Sequence, residues 1–109
     1  MNRIAVKALS INRAYQGRRF STPELFSFKK ELFYLLPKGI QIPEGKLQVS
    51  YTFGVSSKES DGDNLIKAFQ DCLADHYGFN DKKIYKWNVE KVDVEKGQEF
   101  ICFKIDAFA

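Results

Sequence analysis

The 109-residue chain is poor in the residues that build metal–sulfur, redox or membrane proteins. It has two cysteines, Cys72 and Cys102, and one histidine, His76, which exclude both a CxxC pair and a Cys/His zinc site. No apolar run approaches the ~20 residues that a transmembrane helix needs. The first nine residues are too short and too charged for a secretory signal. We therefore expect two buried free thiols in a cytoplasmic protein that makes no membrane contact.

Two further kinds of site are excluded because required residues are missing. A calcium-binding EF-hand loop that starts at Asp61 needs a bidentate Glu at its twelfth position, where this chain has Cys72. A serine or cysteine nucleophile needs an oriented histidine. His76 falls within a predicted helix, and no residue nearby is suited to orient it.

What the chain does contain suits one globular domain over residues 1–109. Apolar residues make up 44% and aromatic residues 15%, which is enough for a hydrophobic core. Charge is distributed unevenly, because residues 1–46 hold nine basic and three acidic side chains while the rest holds eight basic and eleven acidic ones. This split fits a polyanionic partner together with a carboxylate metal site. It fits an ordinary solvated surface almost as well.

The spacing of apolar residues predicts two helices. The first begins near Pro23, where Thr22 or the serine before it can cap the helix, and it ends before Pro37. The second begins near Asp63 and ends at Gly78. The predicted buried stripe of the first helix is Leu25, Phe28, Leu32, Leu35 and Leu36. That of the second is Leu65, Phe69, Cys72 and Leu73, flanked by Ile66.

Alternation of apolar and polar residues predicts four strands. They fall at residues 2–9, 46–54, 84–94 and 99–106. The segment 95–98 is predicted to be a hairpin turn that joins the last two strands, and residues 10–20 are predicted to be a basic loop. The order β-α-β-α-β-β predicts one mixed sheet with two helices packed on it, an α/β or α+β domain.

The residues best suited to catalysis lie where the second strand gives way to the second helix. Asp61 and Asp63 flank a glycine there, and two carboxylates so close need a cation, a shifted pKa or solvent. Mg²⁺ prefers such oxygen ligands. Lys67 follows Asp63 by four residues on the same side of the helix, where its ammonium could contact a scissile phosphate. Asp81 follows the helix, and a chain reversal could bring it toward Asp61.

A purely structural interpretation of these residues is also open. Asp63 would cap the helix, and Asp61 would be a solvated loop acid. Asp63, Lys67 and Asp71 would then form an ordinary row of ion pairs at i,i+4 spacing. Judged on spacing alone, this interpretation is favoured over a catalytic one.

At these residues the sequence resembles the RusA family of Holliday-junction resolvases. The family pattern is an Asp-x-Asp-Asn motif that opens a helix, a Lys four residues beyond the second Asp and a further Asp after the helix. Here these are Asp61-Gly62-Asp63-Asn64, then Lys67, then Asp81. The family's upstream Asn-Arg-x-Tyr loop corresponds to Asn12-Arg13-Ala14-Tyr15. The motifs occur in the family's order and span most of the chain.

The resemblance implies a homodimer that resolves a four-way DNA junction by two paired nicks. It implies that Asp61, Asp63 and Asp81 bind Mg²⁺, for which Mn²⁺ can substitute, and that Lys67 is required for catalysis. Asn80, directly before Asp81, is the alternative third ligand. Asp81 is preferred because a carboxylate is the stronger ligand for a hard cation.

DNA contacts are expected chiefly from the basic loop. Its arginines offer phosphate contacts and its tyrosine offers stacking. The predicted DNA-binding residues are Asn12, Arg13, Tyr15, Arg18, Arg19 and Asn64. Two other functions stay open, a nuclease for flaps or forks and a DNA-binding module without catalysis. The dimer interface is expected on the strand at 46–54, the strand at 99–106 or an exposed apolar helix edge.

Overall fold

A computed structural model of the chain describes residues 1–10, 15–16, 20–57 and 62–109, with the backbone alone at 15–16, 20–21 and 62–63. It is a mixed α+β fold, with one four-stranded mixed sheet and two helices, which confirms the predicted fold class. The strands are β1 (Asn2–Ile4), β2 (Tyr15–Gln16), β3 (Phe20–Ser21), β4 (Leu47–Val55), β5 (Ile84–Asp93) and β6 (Phe100–Ala107). The helices are α1 (Pro23–Leu35) and α2 (Gly62–Tyr77), and a 3-10 turn (Asp81–Lys83) precedes β5.

Helix α1 begins and ends where its sequence predicts. The Oγ1 of Thr22 accepts a hydrogen bond from the Leu25 N–H at 3.2 Å, which satisfies one of the free donors of the first turn. At the other end the Leu36 N–H donates to the Leu32 carbonyl at 2.8 Å. The next residue is a proline, which favours extended backbone at Leu36.

The buried stripe of α1 differs from the prediction at one position. Leu25, Phe28, Leu32 and Leu36 are buried, whereas Leu35 is 39% exposed. Leu32 and Leu36 are four residues apart and share one face, while Leu35 is rotated about 100° from Leu36 around the helix axis. The predicted stripe of α2 is confirmed in full, with Leu65, Phe69, Cys72 and Leu73 buried and Ile66 packed beside them.

The sheet has the strand order β1-β6-β4-β5, so β4 is central. It pairs in parallel with β5 and antiparallel with β6, and β1 pairs antiparallel with β6. The predicted hairpin of β5 with β6 is therefore wrong. The Gln98 N–H does donate to the Glu95 carbonyl at 2.9 Å, so the turn exists, but the strands that it joins lie on opposite sides of β4.

The core lies between one face of this sheet and the two helices. Leu47, Val49, Tyr51 and Phe53 of β4 alternate with less buried residues, as the sequence predicts for a strand with one covered face. The Phe69 ring of α2 packs edge-on against the rings of Tyr51 and Phe53, at centroid distances of 5.4 and 6.1 Å. This aromatic contact fixes α2 over the middle of the sheet.

Three further expectations need correction. The first strand is shorter than residues 2–9, because pairing with β6 spans Asn2–Ile4 alone. The predicted loop at 10–20 contains paired backbone, where β2 lies antiparallel to β3. Both cysteines are free, but Cys102 is half-buried rather than buried. Across the described ranges, neither helix has the length and apolar character to cross a bilayer.

Candidate active site

A cleft of about 340 Å³ lies beside α2, on the helix-covered side of the sheet. Its walls carry two of the four predicted catalytic residues, Lys67 and Asp81. The lining residues are Ile66, Lys67, Gln70, Asp71, Asp81 and Trp87. They come from α2, the turn before β5 and β5 itself, so the cleft is assembled by the β4–α2–β5 crossover.

Lys67 projects from the middle of α2 and is 54% exposed at its side chain. Its Nζ lies 3.3 Å from Oδ2 of Asp71, one helical turn further along. An exposed pair at this spacing contributes only about 0.3–0.5 kcal/mol. The ion pair foreseen by the structural interpretation is therefore present between these two residues, and it holds the ammonium weakly.

Asp81 reaches the cleft because the chain reverses after α2. Gly78 has a φ of 71°, a left-handed conformation that ends the helix, and a 3-10 turn follows. The Oδ1 of Asn80 accepts a hydrogen bond from the Lys82 N–H at 2.9 Å and caps this turn. Asn80 thus has a structural partner, whereas Asp81 lines the cleft.

Asp81 also borders a second, wider cleft of about 680 Å³. Asp71 and Asp75 line it from α2, and Lys29 faces them from α1. Within the described ranges, no group of three or more His, Cys, Asp or Glu side chains has the geometry to hold a metal ion. A cation site built from the described residues alone is therefore not found.

The other two predicted metal ligands, Asp61 and Asp63, are described less fully than Asp81. Asp61 lies outside the described residues. The backbone of Asp63 lies in the first turn of α2, four residues before Lys67 and so about 6 Å from it along the helix axis. Asp81 precedes the amino end of β5, which pairs with the amino end of β4, whereas Asp61 follows the carboxyl end of β4 in the sequence. Convergence of the three carboxylates stays a prediction.

The carboxyl end of β4 is anchored on both sides, just before the segment that leads to Asp61. The Val94 N–H donates to the Val55 carbonyl at 2.8 Å, and the Ser56 Oγ donates to Glu99 at 2.7 Å. Hydrogen bonds from Ser56 and from backbone N–H groups lower the pKa of Glu99 below its usual value. This end of β4 is a fixed starting point for the chain that continues to Asp61.

Sequence reasoning missed a hydrogen-bonded group that includes two lining residues of the cleft, Gln70 and Trp87. The Oε1 of Gln70 accepts from Nε1 of Trp87 at 2.9 Å and from the Tyr51 hydroxyl at 3.0 Å. Burial, and secondarily the negative charge of Asp81, raise the pKa of Tyr51 above its usual range. The sequence offered one signal for this group, the aromatic residue Trp87 in the strand predicted at 84–94. An aromatic residue in a strand does not by itself indicate a site.

Most of the predicted DNA-binding residues lie outside the described residues. These are Asn12, Arg13, Arg18 and Arg19. Tyr15 is described at its backbone, which pairs with Ser21. Asn64 is half-exposed in the first turns of α2.

A scan of the chain against protein-family models finds no match, and a search of curated proteins finds none either. The resemblance to the RusA family therefore depends on the motif residues themselves. A function has to be argued from the cleft and the chemistry of its side chains.

Proposed function

We propose that this chain is a Mg²⁺-dependent endonuclease that cuts branched DNA, with the four-way junction as its preferred substrate. The observation that carries the proposal is the shared cleft of Lys67 and Asp81. Both residues belong to the RusA-like motif, and they come from separate elements, α2 and the turn before β5. A cationic and an anionic side chain at one cleft suit a reaction in which a phosphate and a metal ion are bound together.

In this proposal Asp61, Asp63 and Asp81 hold the metal ion. Asp81 suits that role because it is half-exposed and its neighbour Asn80, not Asp81 itself, caps the turn. When bound by these carboxylates, Mg²⁺ would supply polarisation of the scissile phosphate and a lower pKa for the attacking water. Lys67 neutralises negative charge that develops on the phosphate. Because its pair with Asp71 is exposed and weak, Lys67 can exchange that partner for a phosphate at little cost.

The charges of the cleft favour the proposed metal dependence. Lys67 contributes one positive charge, while Asp71 and Asp81 contribute two negative ones. A phosphate that enters this cleft alone meets net repulsion, and a divalent cation reverses the sign. We therefore expect DNA to enter the cleft productively only together with a divalent ion.

The basic segment supplies the backbone contacts in this proposal. Arg13, Arg18 and Arg19 bind phosphates, with Asn12, Tyr15 and Asn64 as neighbouring contacts. Each real phosphate contact steepens the salt dependence of binding by about one unit. Replacing any one arginine by alanine should therefore reduce the slope by about that amount.

Resolution of a junction needs two opposed cuts, so we propose that the chain acts as a homodimer. Strand β4 is paired along both of its sides, and β6 is paired with β4 along its length and with β1 at 101–103, which leaves little free edge for the sheet of a second copy. Helix α1 instead exposes Phe26, Phe33 and Tyr34. Phe26 and Phe33 are seven residues apart and share a side of the helix. We place the dimer contact on this aromatic edge, because exposed apolar patches mark interaction surfaces.

The direct test offers the full chain four substrates of matched sequence, a four-way junction, a flap, a fork and a linear duplex. Each is incubated with Mg²⁺ and with EDTA. We expect paired, symmetric nicks in the junction in Mg²⁺ and none in EDTA. Cleavage of flaps or forks but not junctions would support a different nuclease, and binding without any cleavage would leave a DNA-binding module.

Matched variants locate the activity in the cleft. Lys67→Ala is expected to lower the cleavage rate at least about a hundredfold with little change in junction affinity. Lys104→Ala is the control, because Lys104 is equally exposed at 56% and also pairs with an aspartate, Asp106, on another part of the surface. Asp81→Asn and Asp61→Asn should abolish cleavage but not binding. Normal cleavage by Asp61→Asn would show the metal-site assignment to be wrong.

A further inference from the structure

The indole of Trp87 has an unusual position for the largest side chain of the protein. It lies on β5, an edge strand of the sheet, where it lines the cleft and is 47% exposed. Its N–H already donates to Gln70 at 2.9 Å. The polar group of the ring is therefore satisfied inside the protein, and much of the apolar ring is presented to solvent.

This exposed ring is tied to the core. The oxygen of Gln70 that holds Trp87 also accepts a hydrogen bond from Tyr51, which is itself buried against Phe69. One amide oxygen thus links an aromatic residue of central β4 to an aromatic residue of edge strand β5. Such a link restricts the orientation of the indole before any ligand arrives, which reduces the entropy lost on binding.

The surroundings of the ring fit a nucleotide. Ile66 adds apolar surface, Lys67 offers an ammonium for a phosphate, and Asp81 is a proposed metal ligand on the same cleft. Every nucleobase has a π face that can stack on an aromatic side chain, without regard to sequence. In duplex DNA that face is covered by neighbouring bases, whereas a branch point or a single strand exposes it.

We propose that Trp87 is a stacking platform for one unpaired nucleobase next to the scissile phosphate. The inference rests on the proposed action on branched DNA, because a base within an intact duplex stays stacked on its neighbours. The platform makes cleavage depend on local unpairing. It is a binding and positioning contact rather than a catalytic group.

Trp87 is the only tryptophan of the chain, so its fluorescence reports this one ring. The full wild-type protein is titrated in Mg²⁺ with an oligothymidine of about 12 nucleotides, with a four-way junction and with linear duplex of matched length. We expect the single strand and the junction to quench the emission by roughly half or more at saturation, because a stacked base contacts the indole face directly. The duplex should bind with little quenching.

Variants test the energy of the same contact. Trp87→Ala should weaken oligothymidine binding about tenfold, while Trp87→Phe, which keeps an aromatic face, should lose much less. Tyr85→Ala is the control, because Tyr85 is an exposed aromatic of the same strand whose ring stacks on Phe108 instead, with centroids 6.1 Å apart. Thermal melts of each variant establish that it is folded, and the wild-type quenching needs no variant at all.

The outcomes separate this inference from the proposed function. Equal quenching by duplex and single strand, or equal losses in Trp87→Ala and Tyr85→Ala, would overturn the platform. Mg²⁺-dependent junction cleavage without any quenching would also overturn it and leave the nuclease standing. Quenching by single strands without cleavage of any substrate would support the platform and overturn the nuclease. A change in the emission per protein molecule on dilution without DNA would show that Trp87 contacts a second copy, not a base.

Discussion

Strands β4 and β5 lie side by side in parallel, yet they differ in the burial and in the charge of their side chains. In β4 each residue from Leu47 to Val55 is buried or half-buried, while in β5 exposure predominates beyond Ile84. The difference follows from position, because β4 lies between two strands and under α2, and β5 is at the sheet edge. A strand held in register by a buried neighbour can expose its side chains without losing its fold. That combination suits β5 to carry a ligand contact.

Charge gives β5 a second property that β4 lacks. A long edge strand offers unpaired backbone groups to other chains and promotes aggregation. Charged side chains along such a strand oppose that pairing. Those of β5 are Lys86, Glu90, Lys91 and Asp93. The strand that exposes an aromatic residue for binding is thereby protected against unspecific sheet extension.

The sharpest way to break the comparison is to remove one apolar side chain from each strand. Phe53 of β4 is fully buried and packs against Phe69, so Phe53→Ala should cost about 3–5 kcal/mol in the free energy of unfolding. Val89 of β5 is 40% exposed, and Val89→Ala should cost less than about 1 kcal/mol. Urea denaturation measures both. Similar losses would mean that β5 contributes to stability as much as β4.

A smaller effect is expected where β4 meets its other neighbour, β6. Gly54 pairs with Phe100, and a Cβ at Gly54 would overlap the Phe100 ring. Gly54→Val should therefore cost about 1–3 kcal/mol through overpacking. Thr52→Val, one pair further along the same face opposite Cys102, is the control and should change stability little.

The Phe100 ring itself provides the check on that mechanism. If the cost arises from overlap, Phe100→Ala should cost less in the Gly54→Val background than in the wild type. Strictly additive losses in this double-mutant cycle would contradict the steric explanation. Gly54 would then be needed for its backbone conformation, not to leave room for the Phe100 ring.

The bond that connects the two strands is the next target. Gln70→Ala removes the shared acceptor of Tyr51 on β4 and Trp87 on β5, and it should cost about 1.5 kcal/mol because the part-buried Tyr51 hydroxyl loses its partner. Tyr51→Phe in that background should restore part of the loss, since no donor is left unsatisfied. A Gln70→Ala variant as stable as the wild type, measured in urea, would show that the link is not energetically significant.

Much of this fold could be predicted because the relevant signals are local. The cap at Thr22, the alternation along β4 and the apolar spacing of α2 depend on neighbours within a few residues. The placement of β5 and β6 could not, because the turn at Glu95–Gln98 is the same whether its strands pair or separate. The two strands separate because each pairs with β4, one on either side. That pairing competes with a β5–β6 hairpin and involves residues far apart in sequence.

The candidate site divides in the same way. The Lys67–Asp71 pair is predictable from helical spacing. The bond from Trp87 to Gln70 is not, because it joins a strand to a helix across the crossover and leaves no periodic trace in the sequence. Asp81 was predicted as a site residue through the motif, while its position beside Lys67 and Asp71 depends on the reversal at Gly78. The residue types that line the cleft were thus easier to predict than their proximity.

The smallest expected effect concerns Cys72 of α2, on the face of the sheet that the helices cover. Burial raises the pKa of the Cys72 thiol from its usual 9.0 to about 11, against the weaker opposite influence of Lys29. The folded protein then holds the thiol proton more tightly than the unfolded chain, so this contribution to stability is complete below pH 9 and is lost as pH rises toward 11. At about pH 10 the loss amounts to about 1 kcal/mol relative to neutral pH.

Urea denaturation at neutral pH and at about pH 10 measures this loss, and Cys72→Ala should remove most of the difference between the two values. Cys102→Ala is the matched control, because that thiol lies on β6 opposite Thr52, on the face that the helices do not cover. Tyr51 and Tyr77, whose pKa values burial also raises from the usual 10.0, add a smaller loss at this pH. If the alkaline loss persisted in Cys72→Ala and disappeared in Cys102→Ala, the open face of the sheet, not the face under α2, would be the one that excludes charge.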